Sequence, residues 1–463
     1  MMYSRLKLAK NLMQDDGVIF ISIDDSEVGN LKSICNEIFG SNNFIAQLIW
    51  QNKKGGGNDS VHIATEHEYI LVFAKNKGEL HAFYESYSQE YAKRYKEEDN
   101  LGKYYWDTFK RKSGKQYYAI ECPDGTLLEN DEDGNPISWL RSEKRFQQDI
   151  KDGEIRFLET NKGWSVQFKQ RMPEGKKPRS IFKTDNLISD KGTTSVGSAD
   201  VYKHFKKDVF SNPKPVELLE FLIGFSANKP NDIVLDFFSG SGTIAEAIFN
   251  LNLTDSIERK FIAVQLPEII DIALTVGNTN AKRIAENAIS VLDEINKAYV
   301  ITELSKERIR RAGQKILADN ADKEGIENLD IGFRVLKVDS SNMKDVYYTP
   351  DSLKKANLDF FESNIKEDRT DEDLLFQVML DWGLELSLPI EPKQIADKTV
   401  YFVAENSLVA CFQPLSMELI DQIAQYKPLR FVSAERSIVN DHDKTNIRER
   451  FKQLSPETDV KFL

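Results

Sequence analysis

Short apolar runs alternate with helical stripes in the first 80 residues and again after residue 210. Val18 to Ile23 is a continuous apolar run, typical of a buried strand, and Val28 to Ile38 carries apolar residues at helical spacing. A strand at Ile233 to Leu235 and a helix at Ile244 to Leu251 repeat this order. The pattern predicts an α/β fold whose sheet is built from two separate parts of the chain.

Between these parts the periodicity fades into a polar, aromatic and turn-rich stretch, which we interpret as an inserted domain. A helical stretch from about residue 280 to 317, with strands at Phe333 to Val338 and Thr399 to Cys411, predicts a separate C-terminal α/β domain. The expected domains are 1–85, 86–209, 210–290 and 291–463, the last of which begins with a helical linker.

Length and composition indicate a soluble protein of several domains. A chain of 463 residues exceeds what one hydrophobic core usually holds, and 29% charged residues place it among globular proteins. The apolar runs are too short to cross a bilayer, and the three separated cysteines predict neither a disulfide framework nor a zinc site. We therefore expect a cytoplasmic protein without a metal site.

The segment that follows Ile233 carries the most informative chemistry. A buried strand ends in Asp236, and Gly240 and Gly242 form a tight turn before a helix that opens at Thr243. Glycines permit positive φ and a close approach of the backbone to a ligand, and the start of a helix offers unpaired N–H groups. We predict a small-molecule site here.

The residue types around this turn narrow the choice of ligand. A phosphate-binding P-loop is excluded because no lysine follows Gly242. A dinucleotide fingerprint fits the glycines but gives Asp236 no role, whereas a carboxylate suits a cationic ligand such as the ammonium group of S-adenosylmethionine. Glu268, at the tip of the next strand, could accept both ribose hydroxyls of that cofactor. The alternative, in which Asp236 is a helix cap and Glu268 a solvated loop acid, stays open.

Three segments resemble motifs of the amino-group DNA methyltransferases. Asp236 to Thr243 resembles motif I, Gln265 to Glu268 resembles motif II, and Asn212 to Leu219 resembles motif X, which in that family also lines the cofactor pocket. The cofactor-binding residues that this resemblance implies are Lys214, Pro215, Asp236, Phe237, Phe238, Ser239, Gly240, Ser241, Gly242, Thr243, Gln265 and Glu268.

Four further segments resemble the modification subunit of type III restriction–modification systems. Asp16 to Asp25 and His67 to Asn76 are similar to its catalytic-half motifs, and Phe333 to Val338 and Leu374 to Leu384 to its C-terminal region. The order of the motifs is that of the β-class, as in the type III adenine-N6 methyltransferases. This resemblance implies a Rossmann-like methyltransferase sheet with an inserted target-recognition domain and a C-terminal α/β domain.

The family's Asp-Pro-Pro-Tyr motif, which holds and stacks on the flipped target base, is absent, since the sequence contains no Pro-Pro pair. In the family this motif precedes a helix that Met1 to Met13 resembles, so we expect the chain to begin just downstream of it. We name no catalytic residue and predict that this chain alone does not methylate DNA. Cytosine-N4 stays open as a target beside adenine-N6.

The net charge of −12 argues against a protein that coats nucleic acid, but residues 141–183 hold twelve basic and six acidic side chains. By resemblance the inserted domain recognises double-stranded DNA. The candidate DNA contacts are Lys53, Lys54, Lys110, Arg111, Lys112, Arg141, Arg145, Arg171, Lys176 and Arg179. The family also implies a homodimer and a helicase–nuclease restriction subunit as partners.

Two other hypotheses stay open from the sequence. The chain could be a non-enzymatic DNA-recognition or complex-forming module that keeps the glycine turn only as structure. A dinucleotide oxidoreductase is the more distant hypothesis, and it predicts binding of NAD instead of S-adenosylmethionine.

Overall fold

A computed structural model gives the fold, and it divides the chain into two compact units, Met1–Phe333 and Arg334–Leu463. The described residues are 2–53, 62–85, 92–112, 114–131, 133–161, 163–182, 191–344, 364–438 and 441–463. None of the described helices is long and apolar enough to span a bilayer. The helix at Ile301–Asp319, within the expected helical linker, lies in the first unit by this division, and the helices after residue 370 lie in the second.

The first unit opens with the predicted α/β segment. Its elements are α1 (Met2–Leu12), β1 (Val18–Ile23), α2 (Val28–Phe39), β2 (Phe44–Gln51) and β3 (His67–Ala74). Leu31, Cys35 and Ile38 lie on one face of α2 and pack with Leu71 and Phe73 of β3. The strand order is β1–β3–β2–β12, where β12 (Ile181–Phe182) returns from the end of the insertion and pairs parallel to β2.

The insertion forms a small antiparallel domain with its own core. Its sheet has the order β10–β11–β5–β4, and Phe109, Trp139, Phe146 and Phe168 pack together beside it. The elements are β4 (Glu97–Asp99), β5 (Gly102–Thr108), β6 (Lys110–Arg111), β7 (Ile120–Glu121), β8 (Leu127–Leu128), β9 (Ser138–Trp139), α3 (Glu143–Lys151), β10 (Ile155–Thr160) and β11 (Gly163–Arg171).

The second α/β segment contains two parallel strands between helices. Its elements are α4 (Thr194–Phe205), α5 (Val216–Ser226), β13 (Ile233–Asp236), α6 (Thr243–Asp255), β14 (Lys260–Ala263), α7 (Ile272–Val276), α8 (Thr279–Glu294) and α9 (Ile301–Asp319). Within the described residues β13 and β14 pair only with each other, so the sheet occurs in two hydrogen-bonded pieces. Helix α5 joins them, because Leu222 and Phe225 pack on the first piece and Ile223 packs with Val234 of β13.

The second unit is an α/β domain around a mixed sheet of order β15–β16–β17–β18–β19. Its strands are β15 (Ile390–Ile395), β16 (Lys398–Val403), β17 (Leu408–Ala410), β18 (Arg430–Ser433) and β19 (Asp459–Phe462), with helices α10 (Asp371–Asp381), α11 (Met417–Gln425) and α12 (Asp441–Leu454). The strand segment predicted from Thr399 to Cys411 is a hairpin of β16 and β17, because Ala404 and Glu405 turn the chain with positive φ.

The predicted strand from Phe333 to Val338 is wrong. These residues take no regular secondary structure, and the side chains of Val335, Leu336 and Val338 are exposed. The Arg334 guanidinium instead donates hydrogen bonds to the carbonyl oxygens of Leu386 and Leu388. An apolar alternation makes a strand only when a neighbouring strand accepts its backbone hydrogen bonds, and the described part of this unit offers none here.

Candidate cofactor-binding site

The glycine turn lies between the end of β13 and the start of α6, as the sequence predicts. Gly240 and Gly242 both have positive φ, at 52° and 73°. The Gly242 N–H donates to the Ser239 carbonyl at 2.8 Å, which closes the turn. A Cβ on Gly242 would also lie 3.3 Å from Ile309 of α9, so this position favours glycine for both its dihedral angle and its packing.

Asp236 places a carboxylate at the carboxyl end of β13. One of its oxygens accepts the N–H of Phe238 at 3.0 Å. Burial raises the pKa of Asp236 above its ordinary value, and the Phe238 hydrogen bond only partly offsets this. Burial thus disfavours the ionised form of Asp236 in the free protein, and a cationic ligand bound at this carboxylate would stabilise that negative charge.

The two residues predicted at the tip of the next strand lie just beyond β14, which ends at Ala263, and they differ in their surroundings. The side-chain oxygen of Gln265 accepts the N–H of Gly240 at 2.9 Å, so Gln265 braces the glycine turn. Glu268 has an exposed side chain, and its backbone carbonyl accepts the N–H of Ile301 at the start of α9. Of these two residues, Glu268 is therefore the one whose side chain a ligand could reach from solvent.

Lys214 and Pro215 lie beside the turn, just before α5. The Thr243 hydroxyl reaches the Lys214 carbonyl at 3.4 Å, which connects this segment to the start of α6. The Lys214 ammonium binds Glu68 of β3 at 2.5 Å and lies 4.6 Å from the centre of the Trp50 ring. Its charge is thus already compensated from the first sheet piece.

The remaining predicted residues divide between the surface and the interior. Phe238 is 57% exposed, whereas Phe237 packs among apolar side chains of α1, α2 and β1. Ser239, Ser241 and Thr243 are buried. Hence Asp236 to Thr243, Gln265 and Lys214 are joined in one loop region, and among the predicted residues Asp236, Phe238 and Glu268 are the three whose side chains best suit contact with a ligand.

Sequence reasoning missed the residues that hold the turn from below. Arg308 of α9 is fully buried and donates to the hydroxyls of Ser241 and Thr243 at 2.9 and 2.5 Å. Its other terminal nitrogen binds Glu246 at 2.9 Å. The available signal was an arginine within the apolar stripe of α9, between Leu304 and Ile309.

Three of the predicted DNA contacts take part in ion pairs inside the insertion. Arg141 and Arg145 bind the buried carboxylate of Asp149 at 2.5 and 2.8 Å, and Arg171 binds Asp99 at 2.7 Å and Glu154. Hydrogen bonds from Arg171 and then Lys169 hold the pKa of Asp99 well below its usual range. Arg141, Arg145 and Arg171 also line an open cleft of about 600 Å³.

The other predicted DNA contacts lie mostly on the surface. Lys53, Lys110, Lys112, Lys176 and Arg179 are exposed, and Arg111 is partly buried. Lys54 lies outside the described residues. Long exposed cations of this kind can reach phosphate groups without first breaking an internal ion pair.

Comparison with known proteins shows which family the chain belongs to. A family model described as DNA methylase matches residues 1–314. The chain is 36% identical over 342 residues to the Mod subunit of the type III restriction-modification enzyme StyLTI of Salmonella typhimurium, a match that covers 72% of this chain and 47% of the relative. It is 29% identical over 434 residues to the Mod subunit of the enzyme EcoPI of Escherichia phage P1, covering 86% and 62% of the two chains.

The chain therefore spans about half to two thirds of the length of these relatives. Among solved structures, a protein assigned as a DNA modification methylase of Thermus thermophilus, in complex with S-adenosyl-L-methionine, aligns over 61% of this chain and 76% of its own. That alignment has a TM-score of 0.25 and 15% identity. By the match over residues 1–314 and the similarity to the Mod subunits, the chain belongs to the DNA methylase family, among the relatives of type III modification subunits.

Proposed function

We propose that this chain binds S-adenosylmethionine at the turn between β13 and α6 and acts within a type III modification subunit that methylates adenine N6 in DNA. The observation that carries the proposal is the partly buried Asp236 carboxylate beside a turn with two positive-φ glycines. The proposed partners are double-stranded DNA, a second modification subunit and a restriction subunit.

Methyl transfer from a sulfonium is a direct displacement. When bound, S-adenosylmethionine would supply the methyl group that adenine N6 takes up, with the thioether as the leaving group. In this reaction the residues of the chain would have binding roles: Asp236 would hold the ammonium group of the cofactor and Glu268 the ribose hydroxyls. The sequence holds no Asp-Pro-Pro-Tyr to fix the amine, and we propose that the chain alone transfers no methyl group.

Calorimetry on the 463-residue chain tests the cofactor assignment. We expect S-adenosylmethionine to bind with a dissociation constant on the order of micromolar, and NAD to give no heat under the same conditions. A binding isotherm for NAD would replace the proposal with the dinucleotide hypothesis. Incubation with radioactive S-adenosylmethionine and DNA tests the second statement, because incorporation of label into adenine would contradict it.

A non-enzymatic DNA-recognition module is the second candidate, and the internal bonding of the turn favours it. Three side chains of this region form hydrogen bonds within the protein, namely those of Ser241, Thr243 and Gln265. The turn could therefore serve only as structure. Binding of duplex DNA by a chain that shows no heat with S-adenosylmethionine would support this candidate.

The exposed cations of the insertion carry a prediction for DNA binding. We expect the double variant Lys110→Ala and Lys112→Ala to bind duplex DNA more weakly at low salt. The plot of log affinity against log salt concentration should become less steep, by the amount that corresponds to the loss of about two phosphate contacts. Fluorescence anisotropy over a salt series measures both. The matched control, Lys282→Ala with Lys297→Ala, removes the same charge outside the insertion, and an equal loss in the control would exclude a specific surface.

A further inference from the structure

Helix α9 touches the glycine turn at three successive points. The Ser305 hydroxyl donates to the carbonyl oxygen of Gly240. The Arg308 guanidinium donates to the hydroxyls of Ser241 and Thr243, as described above. The side chain of Ile309 closes over Gly242. The contacts come from one face of a helix that lies about 60 residues beyond the turn in sequence.

The arginine at the centre of this face belongs to a buried polar network. Its second terminal nitrogen binds Glu246 of α6 at 2.9 Å, and the other Glu246 oxygen lies 2.9 Å from the His204 ring of α4. Burial alone would raise the pKa of Glu246, but the His204 ring and the Arg308 guanidinium hold it below its ordinary value. Glu246 is therefore a carboxylate that compensates the buried cation.

Stability alone is a poor reason to keep such a network. Replacing a buried ion pair by apolar side chains of similar volume is often neutral or stabilising, because the desolvation of both charges is avoided. Within the described residues, the Nε of Arg308 and the Nδ1 of His204 also have no hydrogen-bond partner. A planar guanidinium does offer what an apolar side chain lacks, since it fixes several acceptors in one geometry.

We propose that Arg308, assisted by Ser305, is a positioning residue that fixes the glycine turn in its ligand-binding shape before the cofactor arrives. The hydroxyls of Ser241 and Thr243 then face the protein interior, and the backbone of the turn faces the ligand. The identity of that ligand as S-adenosylmethionine rests on the proposed function, whereas the positioning of the turn does not. A preformed turn lowers the ordering cost of binding.

A second buried arginine provides a matched control. The Arg259 side chain is fully buried and binds Asp255 at 2.7 Å and the carbonyl of Ala227 at 2.5 Å. It lies just beyond the C-terminal end of α6, whereas Arg308 acts at the N-terminal end of that helix. Loss of either arginine removes the guanidinium from its carboxylate, so Arg308→Met and Arg259→Met both test for general destabilisation.

Hydrogen exchange of the intact chain without ligand is the primary experiment. In Arg308→Met we expect amide exchange in a peptide covering residues 237–246 to rise at least about 10-fold, because the turn loses its anchor. In Arg259→Met the same peptide should exchange as in the wild type. Arg308→Lys keeps the charge beside Glu246 but not the forked donor, and we expect an intermediate rate. Wild-type exchange of this peptide in Arg308→Met would overturn the proposal.

Cofactor titration is the second readout, and Ser305→Ala is the milder variant if Arg308→Met does not fold. We expect S-adenosylmethionine to bind at least about 10-fold more weakly to Arg308→Met and measurably more weakly to Ser305→Ala, with wild-type affinity in Arg259→Met. An equal loss of affinity in Arg308→Met and Arg259→Met would mean that Arg308 only stabilises the fold in general, and it would overturn the proposal. If the wild type itself binds no cofactor, the proposed function fails, and the exchange data still decide the role of Arg308.

Discussion

Asp236→Asn is expected to weaken S-adenosylmethionine binding by about 10- to 100-fold, or roughly 1.4–2.8 kcal/mol. The substitution removes the negative charge at the end of β13 while the amide oxygen can still accept the Phe238 N–H, so the turn keeps its hydrogen bond. A loss of affinity then reports on charge and not on loop shape. Calorimetry at neutral pH measures it.

The pH dependence of binding is part of the same test. Because burial raises the pKa of Asp236, the stability linked to this group is greatest below the usual aspartate pKa and is lost as pH rises through the folded-state value. Binding of a cation requires the ionised form, so affinity should fall as pH drops through that raised pKa. Asp236→Asn should show neither trend.

Asp232→Asn is the matched control for Asp236→Asn. Asp232 lies immediately before β13, at the end of the strand away from the turn, and accepts the N–H of Lys229 at 2.9 Å. We expect this variant to bind S-adenosylmethionine like the wild type. Unchanged affinity in Asp236→Asn, or an equal decrease in Asp232→Asn, would remove the electrostatic role that we assign to Asp236.

Phe109→Ala is expected to destabilise the inserted domain by about 3–5 kcal/mol. Phe109 is fully buried, and its ring centre lies 5.1 Å from that of Phe146 and 6.0 Å from that of Trp139. Truncation leaves a cavity between strands and helix in a domain with a small core. Chemical denaturation, followed by tryptophan fluorescence, measures the loss.

The functional consequence of Phe109→Ala should be selective. The turn at Asp236 packs on other apolar clusters, so we expect DNA binding to fall while S-adenosylmethionine binding persists. Tyr117→Ala, at a site 58% exposed in the same domain, is the control and should change stability by less than about 1 kcal/mol. Loss of S-adenosylmethionine binding in Phe109→Ala would show that the insertion and the glycine turn do not fold independently.

The local sequence pattern predicted helices and strands correctly where the neighbouring residues alone decide the secondary structure. The strand Val18–Ile23 has the predicted limits because an unbroken apolar run is followed at once by polar Asp24 and Asp25. Phe333 to Val338 has a similar apolar content, yet it is irregular because a strand also needs a pairing partner. The sequence carries no direct record of that partner.

The candidate site divides in the same way. Asp236, Gly240 and Gly242 were predictable because a strand, a turn and a helix start follow one another within a few residues. The ion pair between Lys214 and Glu68 joins residues 146 positions apart, and the bonds from Arg308 to Ser241 and Thr243 join residues 67 and 65 positions apart. Such contacts leave no spacing pattern in the chain.

The sequence by itself determined that this protein has an α/β core with a glycine turn after an acidic strand end, and it was sufficient for the resemblance to the DNA methyltransferases. Only the tertiary structure decided which side chains of that turn are used on the protein itself and which arginines of the insertion are in ion pairs. The physical reason is that backbone dihedral preference and apolar periodicity act over neighbouring residues, whereas the compensation of a buried charge depends on which distant segments the fold brings within hydrogen-bonding distance.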